Sequence, residues 1–223
     1  EIRKAGYEFN RMRKRIIKHL NQRSEMLSGI SHDLRTPLTR IKLQLALIKD
    51  IEISKKLSGD VDEMEKMLND YLQFSKSTFS DKTETFDISE LIKSIVKKYE
   101  NADISIDQPE KTIFTGRKNL IQRCLNNLID NALKYATKVK VKQEKIRKTI
   151  VIIIEDNGPG IPASEYENVF KPFYKIDKGR SEAKSSVGLG LSISSDIIRS
   201  HGGTIELRKS EMGGLKVMIS LPV

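Results

Sequence analysis

The chain has 223 residues, 38% of them hydrophobic, and its 40 Lys and Arg outnumber 30 Asp and Glu for a net charge of +10. That is enough apolar material for one large or two modest packed domains; no apolar run approaches the roughly 20 residues that cross a bilayer and no signal peptide opens the sequence, so the chain as it stands is expected to be soluble and cytoplasmic. Cys124 is the single cysteine, which excludes an intramolecular disulfide and points to a reducing compartment.

The basic excess is concentrated in Arg3 to Arg23 and Lys138 to Lys148. It could serve nucleic acid or an anionic membrane surface, but no finger or helix-turn-helix signature accompanies it. Most of it reads as solvated surface, and no nucleic-acid partner is expected.

Residues 1–12 read as the end of a helix. From Arg13 to Lys49 a long helix continues, in which Leu20, Ser24, Leu27, Ser31, Leu34, Leu38, Ile41, Leu45 and Ile48 alternate steps of four and three, the spacing of a helix in a bundle. Asp50 to Ser54 is a short connection, and Leu57, Val61, Met64, Leu68, Tyr71 and Ser75 resume the same spacing. Two such helices form an antiparallel hairpin. Alone it would expose too much apolar face, so two chains are expected to pair into a four-helix bundle with two-fold symmetry. Ser75 to Glu84 is polar and marks a linker.

Beyond it the pattern turns to mixed α and β. Phe86-Asp87-Ile88, with Ser89 as the candidate cap, leads into a helix to about Tyr99; Ile104 and Ile106 alternate like a strand, and Thr112 to Phe114 is another. Arg117 to Ala136 is a helix with Leu120, Cys124, Leu128, Ala132 and Tyr135 inward, Cys124 reading as a small buried side chain. Val139 to Gln143 and Thr149 to Glu155 are hairpin strands, and Ile150 to Ile154, apolar on both faces, belongs at the centre of a sheet. Asn157 to Val187 lacks periodicity and reads as a functional lid. A helix from Leu189 to Ser200 and strands Thr204 to Arg208 and Leu215 to Leu221 complete a helix-over-sheet sandwich.

Several positions carry chemistry. His32 stands beside the apolar seam, with the carboxylate of Asp33 next to it and Thr36 one turn on. Pro37 removes an N–H, so the carbonyl of Asp33 loses its helical partner and the helix should bend there. Asn127 and Asn131 are four apart, so both amides leave one helix face, where an amide oxygen can ligate Mg²⁺ beside phosphate. Lys134 adds a point charge on a neighbouring face. Asp156 ends the central strand, and Gly158 and Gly160 behind it let a ligand ring approach the backbone. Gly188 and Gly190 lead into a helix whose first amides favour phosphate.

Ser31-His32-Asp33-Leu34-Arg35-Thr36-Pro37-Leu38 resembles the phosphoacceptor box of sensor histidine kinases, in the form of the EnvZ-like group. Four later segments resemble, in order, the boxes of the GHKL ATPases. Asn127-Leu128-Ile129-Asp130-Asn131-Ala132-Leu133-Lys134-Tyr135 is similar to the N box, Asp156-Asn157-Gly158-Pro159-Gly160-Ile161 to the G1 box and Phe170-Lys171-Pro172-Phe173-Tyr174-Lys175 to the F box. Val187-Gly188-Leu189-Gly190-Leu191 is similar to the G2 box. Lys175 stands where many relatives carry arginine, keeping the charge without the bidentate fork, and Ser186 stands where an earlier glycine is common. Residues 1–12 look like the closing segment of a HAMP linker.

The resemblance implies a multidomain chain. Residues 13–80 would be an all-α dimerisation and phosphotransfer hairpin, and residues 81–223 an α+β, Bergerat-type ATP-binding domain. It implies ATP with Mg²⁺ as cofactors and Asn131 as the metal ligand. Nucleotide contacts would come from Asn127, Lys134, Tyr135, Asp156 (to the adenine amino group), Gly158, Gly160, Ile161, Phe170, Lys175, Gly188, Leu189, Gly190 and Leu191. Autophosphorylation would fall on His32, with Asp33 fixing the tautomer and Thr36 serving dephosphorylation of a response-regulator receiver domain. The longer parent is expected in a bacterial inner membrane, with this part on the cytoplasmic side. Two rival classes fit the same residues: a GHKL ATPase that never phosphorylates itself, and a non-catalytic dimeric scaffold.

Overall fold

The computed structural model describes residues 2–48, 50–76, 82–99, 101–107, 110–176 and 188–223; within the two long helices some side chains, among them those of Ser31, His32 and residues 71–76, lie outside the description. The chain divides into two compact units, residues 1–80 and 81–223.

The first unit is a helical hairpin. Helix α1 spans Ile2–Leu45 and α2 spans Ile51–Lys76. No break separates residues 2–12 from the remainder of α1, and the helix runs through Pro37. It stops four residues earlier than the sequence pattern suggests. Leu47 N–H and Ile48 N–H bond three residues back, to Gln44 and Leu45, and the Ser54 hydroxyl donates to the Leu45 carbonyl at 2.7 Å. Residues 51–54, expected in the connection, are helical instead. Asp50 is the reason, since its Oδ1 accepts from the Glu52 and Ile53 amides at 3.1 Å each and so starts α2.

The apolar seam is not one surface. Leu38, Leu45 and Val61 are buried together, with Leu68 packed against them, and Lys42 closes this contact by pairing with Asp62 at 2.7 Å and Glu65 at 2.5 Å. Leu34 and Ile41, the alternate heptad row, remain 46% and 39% exposed, as do Leu57 and Met64 on α2 at 40% and 53%. One row packs the hairpin and the other is uncovered within a single chain.

The second unit is a helix-over-sheet sandwich. Strands β2 (Asp103–Ile106), β4 (Lys138–Ile146), β5 (Thr149–Asp156), β7 (Leu215–Pro222) and β6 (Thr204–Lys209) form a five-stranded sheet in that order, with β2–β4 parallel and the rest antiparallel. The central strand is β5, as its continuous apolar run requires. Ile150, Ile152 and Ile154 point into the core against helices α3 (Ile88–Val96), α4 (Lys118–Tyr135) and α5 (Gly190–Arg199), which bury Ile92, Leu128 and Ile197 among others. On the other face Val151 is flanked by Glu144 of β4 and Ser220 of β7, and Ile153 by Lys142 and Met218, while Lys216 pairs with Glu155 at 3.2 Å.

Three expectations are corrected by the fold. Residues 84–87 form a strand, β1 (Glu84–Asp87), antiparallel to β3 (Ile113–Gly116) in a separate two-stranded sheet; four residues with one apolar side chain carry too little alternation to announce it. Asp87, not Ser89, caps α3, its Oδ1 accepting from Ser89 N–H at 2.9 Å and from the Ser89 hydroxyl at 2.6 Å. Tyr135 does not point inward: it is 52% exposed, because it sits in the last turn of α4, past the end of the packed stripe.

Candidate active site

The site of the second unit is built where α4, the end of β5 and the start of α5 come together. Asp156 is 7% exposed, and its Oδ1 accepts backbone N–H bonds from Gly158 at 2.8 Å and Leu215 at 3.1 Å. These fix the carboxylate's plane and occupy one oxygen. Oδ2 has no hydrogen bond to another described residue, so it can accept from a ligand amino group.

The glycines around Asp156 are required by close packing. A Cβ on Gly158 would stand 2.9 Å from the Tyr135 carbonyl oxygen, and Gly160, at φ +67°, faces the Gly214 backbone. Gly214 is a site residue that sequence reasoning misses. A Cβ there would fall 2.1 Å from Asp156 Oδ1 and 2.5 Å from Gly158 N. The Gly213-Gly214 pair preceding β7 is the available signal, and it reads as an ordinary hairpin turn until the register is known. Asn157, inside the same box, is structural: its Oδ1 accepts from Thr137 N–H at 3.0 Å and Lys138 N–H at 2.9 Å, tying the end of α4 to the end of β5.

On α4, Asn127 and Asn131 are both half-buried. Asn127 Nδ2 is buried without a hydrogen-bond partner among the described residues. An orphaned amide is costly in a finished core, and half a turn of the group would put its oxygen in that place. Either end suits a polar ligand. Lys134, on the next face, holds its ammonium 5.2 Å from the Tyr135 ring centroid.

The second pair of boxes is also brought together. Gly188 has φ +75°, and a Cβ on it would lie 2.7 Å from the Tyr174 carbonyl; its own carbonyl accepts from Phe173 N–H at 3.0 Å. Phe173 adopts φ +64°, a sparsely populated conformation for a bulky residue. Tyr174 donates its hydroxyl to Glu165 at 2.5 Å and Asn168 Nδ2 adds a bond at 3.1 Å; these hold the Glu165 carboxyl below its usual range. Phe170 and Ile161 are half-buried and Lys175 is exposed. Leu189 is fully buried, so only its backbone could meet a ligand. As N-cap of α5 it supplies no side-chain bond, which leaves the first amides of the helix unclaimed by a cap. Gly190 opens onto free space and Leu191 is half-buried. Residues 177–187 of the expected lid, Ser186 among them, lie outside the described residues.

Helix α5 is joined to α4 by Cys124, whose buried thiol lies 3.9 Å from the Ser194 carbonyl and is pushed up to about 12 by burial. It is also joined by His201, which serves more than a helix end. Its Nε2 accepts from Arg117 N–H at 3.0 Å and its Nδ1 lies 2.8 Å from the Ile197 carbonyl. Only the neutral ring protonated on Nδ1 satisfies both, and burial pulls its pKa down accordingly.

A depression of about 410 Å³ at the end of α3, lined by Lys97, Lys98, Tyr99, Asn101 and Ala102, has none of these groups on its wall and is not this site. In the hairpin, His32 lies in α1 next to the exposed Asp33, with the exposed Thr36 one turn on; its own side chain is outside the described residues. Among the described residues no cluster of three His, Cys, Asp or Glu side chains could hold a metal.

A hairpin carrying His32 and a sandwich with an acid-ended central strand, paired helix asparagines and a glycine-led helix fit a phosphoacceptor unit joined to a nucleotide-binding unit. Comparison with known proteins agrees. The His Kinase A (phospho-acceptor) domain matches residues 22–79, and the histidine kinase-, DNA gyrase B-, and HSP90-like ATPase matches residues 116–223. The chain is similar to the sensor histidine kinase GtrS of Pseudomonas aeruginosa, 34% identical over 224 residues, which cover 100% of this chain and 46% of that protein. Among solved structures it is similar to histidine kinase AdeS of Acinetobacter baumannii (25% identity, TM-score 0.59, 86% of this chain and 97% of that one). It is also similar to the ATP binding domain of PrrB from Mycobacterium tuberculosis (28% identity, TM-score 0.53, 64% of this chain and 98% of that one). The chain belongs to the sensor histidine kinases of two-component systems. It spans about half the length of the curated relatives it matches.

Proposed function

We propose that this chain is the kinase core of a two-component sensor: it binds ATP in the second unit and transfers the γ-phosphoryl group to His32. The observation that carries this reading is Asp156, a buried carboxylate with one oxygen fixed by two backbone amides and the other left for an amino group. Asn127, Asn131 and Lys134 supply polar groups on one side, and the α5 amides supply donors on the other.

In the transfer, a ring nitrogen of His32 attacks the γ-phosphorus in line. An N–P bond forms, the bridging P–O bond breaks, and ADP leaves with the electron pair. An imidazole with an ordinary pKa of about 6.5 is largely neutral near pH 7 and can attack through one nitrogen. Asp33 holds the proton on the other nitrogen, fixing the tautomer and stabilising the imidazolium that develops. Magnesium, when bound with the nucleotide, neutralises phosphate charge, and amide oxygens of Asn131 and Asn127 suit it as hard, uncharged donors. The polar linker would let the nucleotide unit reach the histidine.

The phosphoryl group then passes to an aspartate of a receiver domain docked on the hairpin, and Thr36 orients water for the reverse, dephosphorylating step. Two copies pair through the uncovered row of Leu34, Ile41, Leu57 and Met64. No helix among the described residues is long and apolar enough to cross a membrane; membrane anchorage belongs to the longer parent, through a HAMP linker ending at residues 1–12. Nucleotide binding tests the proposal at its base. Asp156→Asn should lose most affinity for ATP, while His32→Ala should bind it as the parent chain does. Equal affinity in Asp156→Asn would place the purine elsewhere.

A further inference from the structure

The peptide that carries Lys175 is held from two sides. On one side Phe173 N–H donates to the Gly188 carbonyl at 3.0 Å, and the Tyr174 carbonyl lies so near that a Cβ on Gly188 would stand 2.7 Å from it. Gly188 comes just before Gly190, the first residue of α5, so residues 173–175 run past the amide end of that helix. On the other side Tyr174 donates its hydroxyl to Glu165 Oε2 at 2.5 Å, and Asn168 Nδ2 donates to the same oxygen at 3.1 Å. Lys171 Nζ donates to Asn168 Oδ1 at 2.7 Å, so Lys171, Asn168, Glu165 and Tyr174 form one connected network. Between the two holds Phe173 keeps φ +64°, a conformation that a bulky residue retains only where its surroundings over-determine it.

We propose that Glu165 is a positioning residue for the terminal phosphate: through Tyr174 it fixes the peptide from which Lys175 projects, so that this ammonium joins the first amides of α5 around the γ-phosphate. The proposal rests on the reading of the second unit as an ATP site. Lys175 is exposed, and a lysine is a point charge on a flexible stem, without the fork by which an arginine orients itself on phosphate. Its aim therefore depends on where its backbone is held. Glu165 suits that task, since it and Tyr174 are both half-buried and a hydroxyl donating to an ionised carboxylate is among the stronger hydrogen bonds. A network that served stability alone would affect ATP and ADP alike, because the two share the adenine and the first two phosphates.

The test titrates the 223-residue chain with ATP and with ADP, each with magnesium, by calorimetry, in a His32→Ala background so that no phosphoryl transfer disturbs the ATP titration. Glu165→Ala should lower the preference for ATP over ADP about fivefold, with ADP affinity kept within about twofold. Tyr174→Phe should reproduce that loss, and the double variant should be no worse than either, as two groups of one contact require. Glu165→Gln, which keeps an oxygen for Tyr174, should retain most of the preference. In a Lys175→Gln background the preference should already be low, and adding Glu165→Ala should not lower it further. Equal losses for both nucleotides, an unchanged preference in Glu165→Ala, a Glu165→Gln variant as impaired as Glu165→Ala, or a further drop in the Lys175→Gln background would each overturn the proposal while leaving the nucleotide site in place. A parent chain that binds neither nucleotide would overturn the ATP reading and this proposal with it.

Discussion

The carboxylate of Asp156 is held in place by a residue far away in sequence. Gly214 leaves room for it, and Gly214→Ala would push a methyl into Oδ1 and Gly158 N at once. Backbone would have to shift, so the substitution should cost about 2 kcal/mol in stability and weaken ATP binding at least tenfold, read by calorimetric titration. His201 offers a pH-dependent counterpart. Its neutral ring accepts the Arg117 amide, and its folded pKa lies below the unfolded value of about 6.5. Its contribution is therefore present above about pH 6.5 and lost as pH falls through the lowered folded value, because the unfolded chain takes up the proton first. His201→Ala should lower stability by about 1–2 kcal/mol near pH 8, and the gap to the parent chain in thermal melts should narrow near pH 5. Asp156, Asn127 and Asn131 are legible from sequence through spacing and a strand end. Gly214 and the second bond of His201 are not, because each acts across the fold on a neighbour that only strand register and helix packing reveal.

Among elements, the start of α2 shows how much a single cap decides. Asp50 reads from sequence as a link residue, yet it satisfies two of the orphan amides that begin the helix. Asp50→Ala should cost about 1 kcal/mol in hairpin stability by chemical denaturation. The two heptad rows separate more sharply. Leu38→Ala empties the buried row and should cost about 2–4 kcal/mol, whereas Leu34→Ala removes an exposed side chain and should leave the melting of a monomer nearly unchanged. Periodicity shows that both rows are apolar; it does not show which neighbour covers each, since a 3.5-residue repeat has the same form whether the partner helix is in the same chain or another. Strand β5 is the opposite case, since an apolar run on both faces fits only the middle of a covered sheet.

For the whole molecule, the uncovered row predicts a two-fold dimer. Sedimentation should give twice the chain mass, and Ile41→Glu with Met64→Lys should shift it to one chain while ATP binding is retained. The division of labour between two units likewise predicts separable losses: Thr36→Ala should keep self-labelling and weaken phosphatase activity toward a phosphorylated receiver domain, and equal loss of both would remove that role from Thr36. Composition and spacing announce this two-part layout, since a polar linker and a change of period are local signals. The most direct test is chemical: the chain is incubated with γ-labelled ATP and magnesium, and the stability of any protein-bound label is measured in acid and in base. Label that is lost in acid, survives base and is missing from His32→Ala is the expected outcome; ATP consumed with no label retained, or a label stable to acid, would contradict phosphoryl transfer to the histidine.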